Sequence, residues 1–507
     1  MSSPPAVTTA PSCRPTLEAV RALAADHDLV PVVSELLADC DTPVSAFLRL
    51  EEEGAFLLES VEGGERLARY SFLAASPLST IALDGGTATV TGPAGTRTES
   101  YTDPLEVVER AVSRLRVAPL DGLDVPFRGG AVGFLSYEAA TRFERVPVAA
   151  HDRLGIPHGW FAVVDTVIVF DHALHRMLLI THAHTGGGAD VDAAYAGAVR
   201  RLGDLRDRLR RPLPPPAPLP AEPAVVPDRE ALANLSRDDF VRSVRRCSEY
   251  ILAGDIFQVQ IGRRFALPLR VAPFDLYRAL RSINPSPYMF FLPTPSCAVV
   301  GASPEMLVRV TGRHVEYHPI AGTRRRGSTP DRDLELEHQL RDSEKERAEH
   351  LMLVDLGRND LGRVCTTGSV RVTEYMEVER YSHVMHLVST ITGTLRSGAT
   401  ALDALRACFP AGTVTGAPKL RAMEVIAEQE PETRGVYAGA VGYLAFGGNL
   451  DTAIALRTLV VRDGVAYAQA SAGIVADSEP HEEALEIDNK VAALLAAVER
   501  ANQGLGR

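Results

Sequence analysis

Between Arg211 and Asp228 the chain reads RPLPPPAPLPAEPAVVPD, eight prolines in eighteen residues. Each proline lacks a backbone donor and fixes its own φ, so neither a helix interior nor a central strand can cross this stretch. Residues 211–228 therefore read as a Pro-rich connector between an N-terminal portion, 26–210, and a C-terminal portion, 229–507, with a flexible tail at 1–25. A long surface loop inside one cooperative unit satisfies the same composition, and the sequence leaves both readings open.

The N-terminal portion alternates short apolar runs with Gly and Asp turns, as in AFLLES, TIALDGG and WFAVVDTVIVFDH, a pattern of antiparallel strands with a few helices. The C-terminal portion opens on Ser236 and Asp239, spaced as a capping box. Phe240, Val241, Val244, Ile251 and Leu252 follow at helical intervals, and Gly254 is a stop. FQVQI then alternates strictly, which predicts Phe257, Val259 and Ile261 on one face of a strand and Gln258 and Gln260 on the other. Further strands are expected at CAVVGA, VRVTG, YAGAVGYLAF, AIALRTLVV and VAYAQASAG, and helices over about 332–356, 401–408, 417–429 and 480–502. Strands and helices in this unequal order predict an α+β fold on antiparallel sheets rather than a doubly wound one. The chain carries no tandem repeat and no Walker or Rossmann glycine signature.

A net charge of -12 and a pI near 5.7 argue against general nucleic-acid binding, which needs a clustered basic surface. The same acidity means that an anionic ligand has to be met locally, by Arg, Lys, helix N-termini or a bound cation. The six cysteines, Cys13, Cys40, Cys247, Cys297, Cys365 and Cys408, form no CxxC pair and no dense disulfide framework, which suits a reducing cytosol. The opening MSSPPAVTTAPSC lacks a secretory pattern, and no run of about 18 apolar residues occurs. A soluble, cytoplasmic protein without membrane association is expected.

Glu-x-x-Glu occurs twice in predicted helices, as Glu346 with Glu349 and as Glu483 with Glu486. Spacing of three puts both carboxylates of a pair on one helical face. Alone, such a pair is usually an exposed acidic surface. Four carboxylates turned into one cavity would repel and require a divalent cation, and oxygen-only ligation favours Mg²⁺. Lys490, one turn beyond Glu486, either closes an intrahelical salt bridge or reaches past a metal to an anionic group. PAGTVTGAPKLRAMEVI, from Pro410, combines glycines, small hydroxyls and a helix N-terminus, and serves equally as a plain loop or as an anion receptor. Gly473 permits close backbone approach. Arg457, on an apolar strand, needs a carboxylate from the protein or from a ligand, and His386, in an apolar stretch, is more often a satisfied core histidine.

The strings NPSPYMFFL, GASPEMLVRV, PIAGTRRRG, EHLMLVDLGRND, FPAGTVTGAPK, VYAGAVGYL and SAGIVADSEPHEEALEIDNK, in this order, resemble the chorismate-utilising enzymes. That family comprises the anthranilate, aminodeoxychorismate, isochorismate and salicylate synthases. The likeness spans nearly the whole chain and implies two antiparallel β-sheets packed together and surrounded by helices, with the active site in the C-terminal portion. It implies that Glu349 and Glu486 ligate Mg²⁺, supported by Glu346 and Glu483, and that the metal holds the ring carboxylate of chorismate. Tyr437, Arg457, Lys490 and the backbone at Ala472 and Gly473 would receive the enolpyruvyl carboxylate, with Gly322, Thr323 and Thr413 lining the pocket. Glu305 would be the general acid that protonates the departing ring hydroxyl, a role that burial beside apolar residues favours. His386 is placed like the histidine implicated in the elimination of pyruvate.

Two positions separate the family's members. The water-adding relatives carry a lysine where this chain has Gln258; a neutral amide cannot deprotonate water, whereas ammonia brings its own lone pair. Aminodeoxychorismate synthases read PIKGT, with a lysine nucleophile, where this chain reads PIAGT with Ala321. The resemblance thus implies the large-subunit type of anthranilate synthase, a Mg-dependent lyase making anthranilate and pyruvate from chorismate and ammonia. The alternatives are a 2-amino-2-deoxyisochorismate synthase, which keeps the pyruvyl ether, and a catalytically silent tryptophan-sensing homologue. No cysteine lies in a nucleophile elbow, so ammonia is expected from a separate glutamine amidotransferase subunit, in a heterotetramer of two large and two small subunits. Leu58, Glu59 and Ser60 of LLES, with RYSF from Arg69, resemble part of a feedback pocket for L-tryptophan. Pro287, Tyr288 and Met289 of NPSPYM and Val441, Gly442 and Tyr443 would complete it, remote from the metal.

Overall fold

The computed structural model describes residues 13–50, 54–61, 69–112, 115–215, 228, 230–380 and 384–505. Two large antiparallel sheets form its frame. The first has the strand order Leu29–Leu37, Arg176–His184, Val167–Asp171, Tyr70–Ala74, Phe56–Glu59, Tyr288–Pro293, Ala298–Ser303, Thr458–Arg462, Val465–Ile474, Gln258–Pro268, Gly416–Ala417. The second runs Ile320–Arg325, Val384–Thr394, His314–Tyr317, Met306–Thr311, Leu450–Ile454, Ala440–Ala445, Gly130–Leu135, Gly159–Val164, Ser79–Asp84, Thr87–Gly92, Gly95–Ser100, with Arg371–Arg380 also paired to Val384–Thr394. This is the expected α+β architecture.

Among the described residues, each sheet passes from N-terminal to C-terminal strands at one seam. In the first, Phe56–Glu59 pairs with Tyr288–Pro293, Leu58 lying opposite Phe290. In the second, Gly130–Leu135 pairs with Ala440–Ala445, Phe134 opposite Val441. The two portions are therefore woven into the same sheets and do not stand as separate layers. Residues 216–227, most of the connector, lie outside the described residues. So do residues 1–12 of the expected tail. The rest of that tail is part of the fold: Thr16 caps a helix at Leu17–Leu23 whose Val20 is fully buried, and Arg14 pairs with Val33.

A core between the sheets takes Phe72, Val169, Phe290 and Val299 from the first and Val132, Phe134, Trp160 and Tyr443 from the second. Helices cover the outer faces: Pro480–Gln503 lies on Val465–Ile474, Val191–Leu209 on Arg176–His184. Burying one such apolar side chain contributes about 1.5–3 kcal/mol, which is why the period-two strands commit to these faces. Among the described residues no helix is long and apolar enough to cross a membrane.

Local signals held where side chains act on their own backbone. Ser236 Oγ accepts the Asp239 N–H at 3.1 Å at the start of helix Arg237–Leu252, and Gly254, at φ +81°, follows its end. Three expectations are corrected. The helix read over 332–356 is two, Pro330–Asp342 and Glu344–Gly362, because Ser343 leaves the helical conformation and caps the second through the Glu346 N–H. AIALRTLVV is not one strand: Leu450–Ile454 belongs to the second sheet and Thr458–Arg462 to the first. Phe257 lies just ahead of its strand and is 73% exposed, while Val259 and Ile261 are fully buried.

Candidate active site

Glu305 sits where the chain leaves Ala298–Ser303 in the first sheet and enters Met306–Thr311 in the second. The corner is pinned by Ser303 Oγ, which donates to the Ile454 carbonyl at 2.6 Å, and by the Ile454 N–H, which donates to the Glu305 carbonyl at 3.1 Å. Burial pushes the Glu305 carboxyl up to about 8. The Ile320 N–H and the Thr413 hydroxyl oppose that shift, the hydroxyl turned to the carboxyl without closing a full hydrogen bond. The carboxyl is thus neutral at neutral pH.

The strand Ile320–Arg325 pairs with Val384–Thr394, placing Thr323 opposite His386, with an irregularity between Ala321 and Thr323. Gly322 occupies it at φ +66°, where a methyl would lie 2.9 Å from Glu346 Oε2, so only glycine suits the position. His386 Nδ1 lies 3.0 Å from both the Gly322 carbonyl and Thr323 Oγ1. A carbonyl only accepts, so Nδ1 carries the hydrogen and the lone pair is on Nε2. Burial, with Arg457 adding to it, pushes this imidazole down to about 4. Arg457 is not on a strand, contrary to expectation. It occupies the corner between the sheets at φ +46°, a conformation costly for a side chain of this size, with Nη1 3.4 Å from Asn284 Oδ1.

Gln258 and Gln260 do share one face, as the alternation predicted. A methyl on Gly473 would lie 2.8 Å from Nε2 of each, so the strand Val465–Ile474 approaches both amides through a bare backbone. Tyr437 Oη donates to Ser471 Oγ at 2.8 Å, and Ser471 Oγ donates to Gln260 Oε1 at 2.9 Å. Lys490 Nζ donates to the Ser471 carbonyl at 2.9 Å and pairs with Glu486 at 2.6 Å. Ala472 differs from its neighbours: its side chain is fully buried in the core, so it offers the site backbone alone.

The acidic pairs meet this face. Gln258 Nε2 donates to Glu349 Oε1 at 3.1 Å, and Arg324 Nη1 to Glu346 Oε1 at 3.0 Å. Glu349 is pushed up by burial, with Glu346 and Glu486 adding to the shift and Gln258 and Lys490 opposing it. Glu483, 6% exposed, is pushed up by burial with Glu486 adding, and its Oε2 has no partner among the described residues. The expected ligand set is not closed: among the described residues no three His, Cys, Asp or Glu side chains are gathered to hold a metal ion. Like charges this close repel, and Glu346, Glu349 and Glu486 have each taken a protein donor. The chemistry nevertheless fits a hard divalent cation, since carboxylates that raise one another, beside a buried oxygen lacking a donor, are what oxygen ligation satisfies.

The residues expected to bind tryptophan divide between two directions. Leu58 packs into the core between the sheets with Val441 and Tyr443, and the Tyr443 ring lies 4.7 Å from that of Phe127. Tyr288 Oη donates to Asp451 at 3.2 Å, and Asp451 is the cross-strand partner of Tyr443. Ser60 Oγ is buried without a partner among the described residues. Glu59 is turned away: Arg281 donates to its carboxylate at 3.0 and 3.2 Å, and Tyr277 Oη donates as well. Met289, opposite Glu59, packs in the core on that side, and a methyl on Gly442 would strike the Asp451 carbonyl. Pro287 immediately precedes the strand.

Sequence reading missed Arg324 and Ser471. Arg324 stands in an RRR run with no spacing to mark it, whereas the shared face of Gln258 and Gln260 pointed toward the hydroxyl that joins Gln260 to Tyr437.

The chain matches the family described as chorismate binding enzyme over residues 53–496. It is 49% identical over 496 residues to anthranilate synthase component 1 of Streptomyces coelicolor, covering 96% of this chain and 92% of that protein. The Acetivibrio thermocellus protein of the same name is 43% identical, covering 96% and 99%. The crystal structure of anthranilate synthase component I from Streptococcus pneumoniae TIGR4 aligns with a TM-score of 0.74 at 36% identity, covering 90% of this chain and 98% of that one. The menaquinone-specific isochorismate synthase of Escherichia coli, 19% identical, shares the fold with a TM-score of 0.67.

Proposed function

The chain belongs to the family of chorismate-binding enzymes, and from that membership we propose that it works as the large subunit of an anthranilate synthase, converting chorismate and ammonia to anthranilate and pyruvate. The observation that carries this reading is the combination of a buried Glu305, whose carboxyl burial pushes up to about 8, with a neutral amide, Gln258, bonded to Glu349.

In the first step ammonia adds its lone pair to the ring while the ring C–O bond breaks. Glu305 gives its proton to the departing hydroxyl, which leaves as water, and the resulting carboxylate takes a proton back from the new ammonium. Gln258 is not a base, which suits a nucleophile that needs none. In the second step the proton on the carbon bearing nitrogen is removed and the enolpyruvyl C–O bond breaks, its electrons leaving with pyruvate as the ring becomes aromatic. His386 is neutral with its lone pair on Nε2, the state a base requires. Lys490, Arg457, Tyr437 and the Gly473 backbone receive the enolpyruvyl carboxylate, with Thr413, Thr323 and Gly322 along the pocket wall. Glu349 and Glu486, with Glu346 and Glu483, are the residues that would hold Mg²⁺, which when bound supplies positive charge for the ring carboxylate.

Ammonia at neutral pH is largely ammonium, so a separate glutamine amidotransferase subunit supplies it, in a cytoplasmic heterotetramer of two large and two small subunits. L-Tryptophan, bound by residues around Ser60 and Tyr288, inhibits. The Ser60 hydroxyl, buried without a partner among the described residues, supports this pocket, because a buried hydroxyl is costly unless something bonds it. The test is the purified chain with chorismate, Mg²⁺ and ammonium at mildly alkaline pH, followed by anthranilate fluorescence. Fluorescent product that disappears with chelator is expected. Chorismate consumed without fluorescence or pyruvate would replace this reading with the aminodeoxyisochorismate one, and no consumption would leave a silent homologue.

A further inference from the structure

Arg434 follows helix Lys419–Gln429 and is 2% exposed. Its Nη1 donates to the Val414 carbonyl at 2.7 Å and its Nη2 to the Gln260 carbonyl at 2.8 Å. The Glu430 carboxylate accepts from Nε at 2.9 Å and from Nη2 at 2.6 Å. Glu430, itself 4% exposed, also accepts the Gly262 N–H at 2.8 Å. From the N-terminal portion, the Glu138 carboxylate accepts the backbone N–H of Arg434 at 2.7 Å and of Gly435 at 3.0 Å. The Tyr137 and Tyr437 rings lie 4.7 and 5.8 Å from the guanidinium carbon.

A buried ion pair contributes little net stability compared with apolar residues of the same volume, so stability alone is a weak reason for this one. What a guanidinium does that no apolar residue can is fix several acceptors at set angles through one rigid fork. The acceptors here belong to the active site. Val414 adjoins Thr413, whose hydroxyl faces Glu305, and Gln260 is on the strand that carries the Gln258 amide. We propose that Arg434 is a positioning residue: by fastening the Val414 carbonyl to the Gln260 carbonyl, it holds the Thr413 hydroxyl against Glu305 and sets that acid relative to Gln258. This inference rests on the reading of Glu305 as the general acid.

The experiment uses the full chain, with Arg434→Lys and Thr413→Val made singly and together and chorismate turnover followed across pH at a fixed concentration of free NH3. The groups facing Glu305 are the Thr413 hydroxyl, the Ile320 N–H and the Tyr317 phenol. Arg434→Lys is expected to lower kcat by roughly 10²-fold, the scale of a small misplacement, with a smaller change in KM. Both single variants should move the alkaline limb of the profile upward, because the hydroxyl favours the charged carboxyl and its withdrawal keeps Glu305 protonated to higher pH. The double variant should be no worse than the poorer single one, since both act through one contact. Losses that multiply, with a limb that stays put, would overturn the proposal and leave Arg434 a purely structural residue. If Arg434→Lys fails to fold, Glu430→Gln, which keeps an acceptor for Gly262 and loosens the guanidinium, carries the same expectations against Thr413→Val. A wild-type chain that consumes no chorismate would overturn the reading of Glu305 and this inference with it. An active wild type with an unaltered Arg434→Lys would overturn the positioning role alone.

Discussion

Burial moves the two principal titratable groups of the site in opposite directions, Glu305 up to about 8 and His386 down to about 4, and leaves both uncharged at neutral pH. A general acid works only while protonated, so at a fixed concentration of free NH3 turnover is expected to fall as pH rises through about 8. The same shift has a stability consequence. Because Glu305 binds its proton more tightly folded than unfolded, its contribution to stability is fully present below its ordinary value of 4.5 and is lost as pH rises through about 8. Glu305→Gln keeps the neutral form at every pH. It is expected to cost roughly 10²–10⁴-fold in kcat while removing that part of the decline in thermal midpoint between acidic and mildly alkaline buffer. An equal decline in variant and wild type would contradict the assignment. Ser60 is a second residue with a specific expectation. Ser60→Ala should leave chorismate turnover intact and weaken tryptophan inhibition by up to about tenfold, the worth of one hydrogen bond, as read from inhibition curves at fixed chorismate.

At the scale of strands and helices, the close passage of Val465–Ile474 over the Gln258 and Gln260 amides makes Gly473 diagnostic. The atoms a new methyl would strike are the ends of flexible side chains, so Gly473→Ala is expected to fold with a thermal midpoint within a few degrees of wild type. Its activity should fall roughly 10²-fold because the amides are displaced, and retention of full activity would show that their placement is not used. How much of this could be read beforehand depended on whether the signal was local. The Ser236 cap and the shared face of Gln258 and Gln260 follow from neighbouring residues alone. The two-sheet course of AIALRTLVV does not: both sheets are apolar, so hydropathy cannot tell a continuing strand from one that turns a corner at Arg457. Spacing likewise put Glu346 with Glu349 and Glu483 with Glu486 on common helical faces and Lys490 one turn from Glu486, but it carried no information about Arg324 and Gln258 as partners of Glu346 and Glu349.

Across the whole molecule, the weave of the sheets outweighs the proline segment. Because Tyr288–Pro293 and Ala440–Ala445 each lose a strand partner when residues 1–228 are removed, the fragment 229–507 is expected to lack a cooperative unfolding transition by circular dichroism. An independently folding, chorismate-consuming fragment would contradict this. The residues resembling a tryptophan pocket lie along those same two seams, Leu58 and Met289 at one and Val441 and Tyr443 at the other. An effector there would touch both portions at once, and any preference it had for one seam geometry would reach the strands leading to Glu305 and Arg457. The seams carry one more consequence, for how the polypeptide could be divided. Two exposed edges that fit only each other are a recognition code, so a gene cut within the proline segment should encode two polypeptides that are each incompetent alone yet reassemble by fragment complementation when produced together.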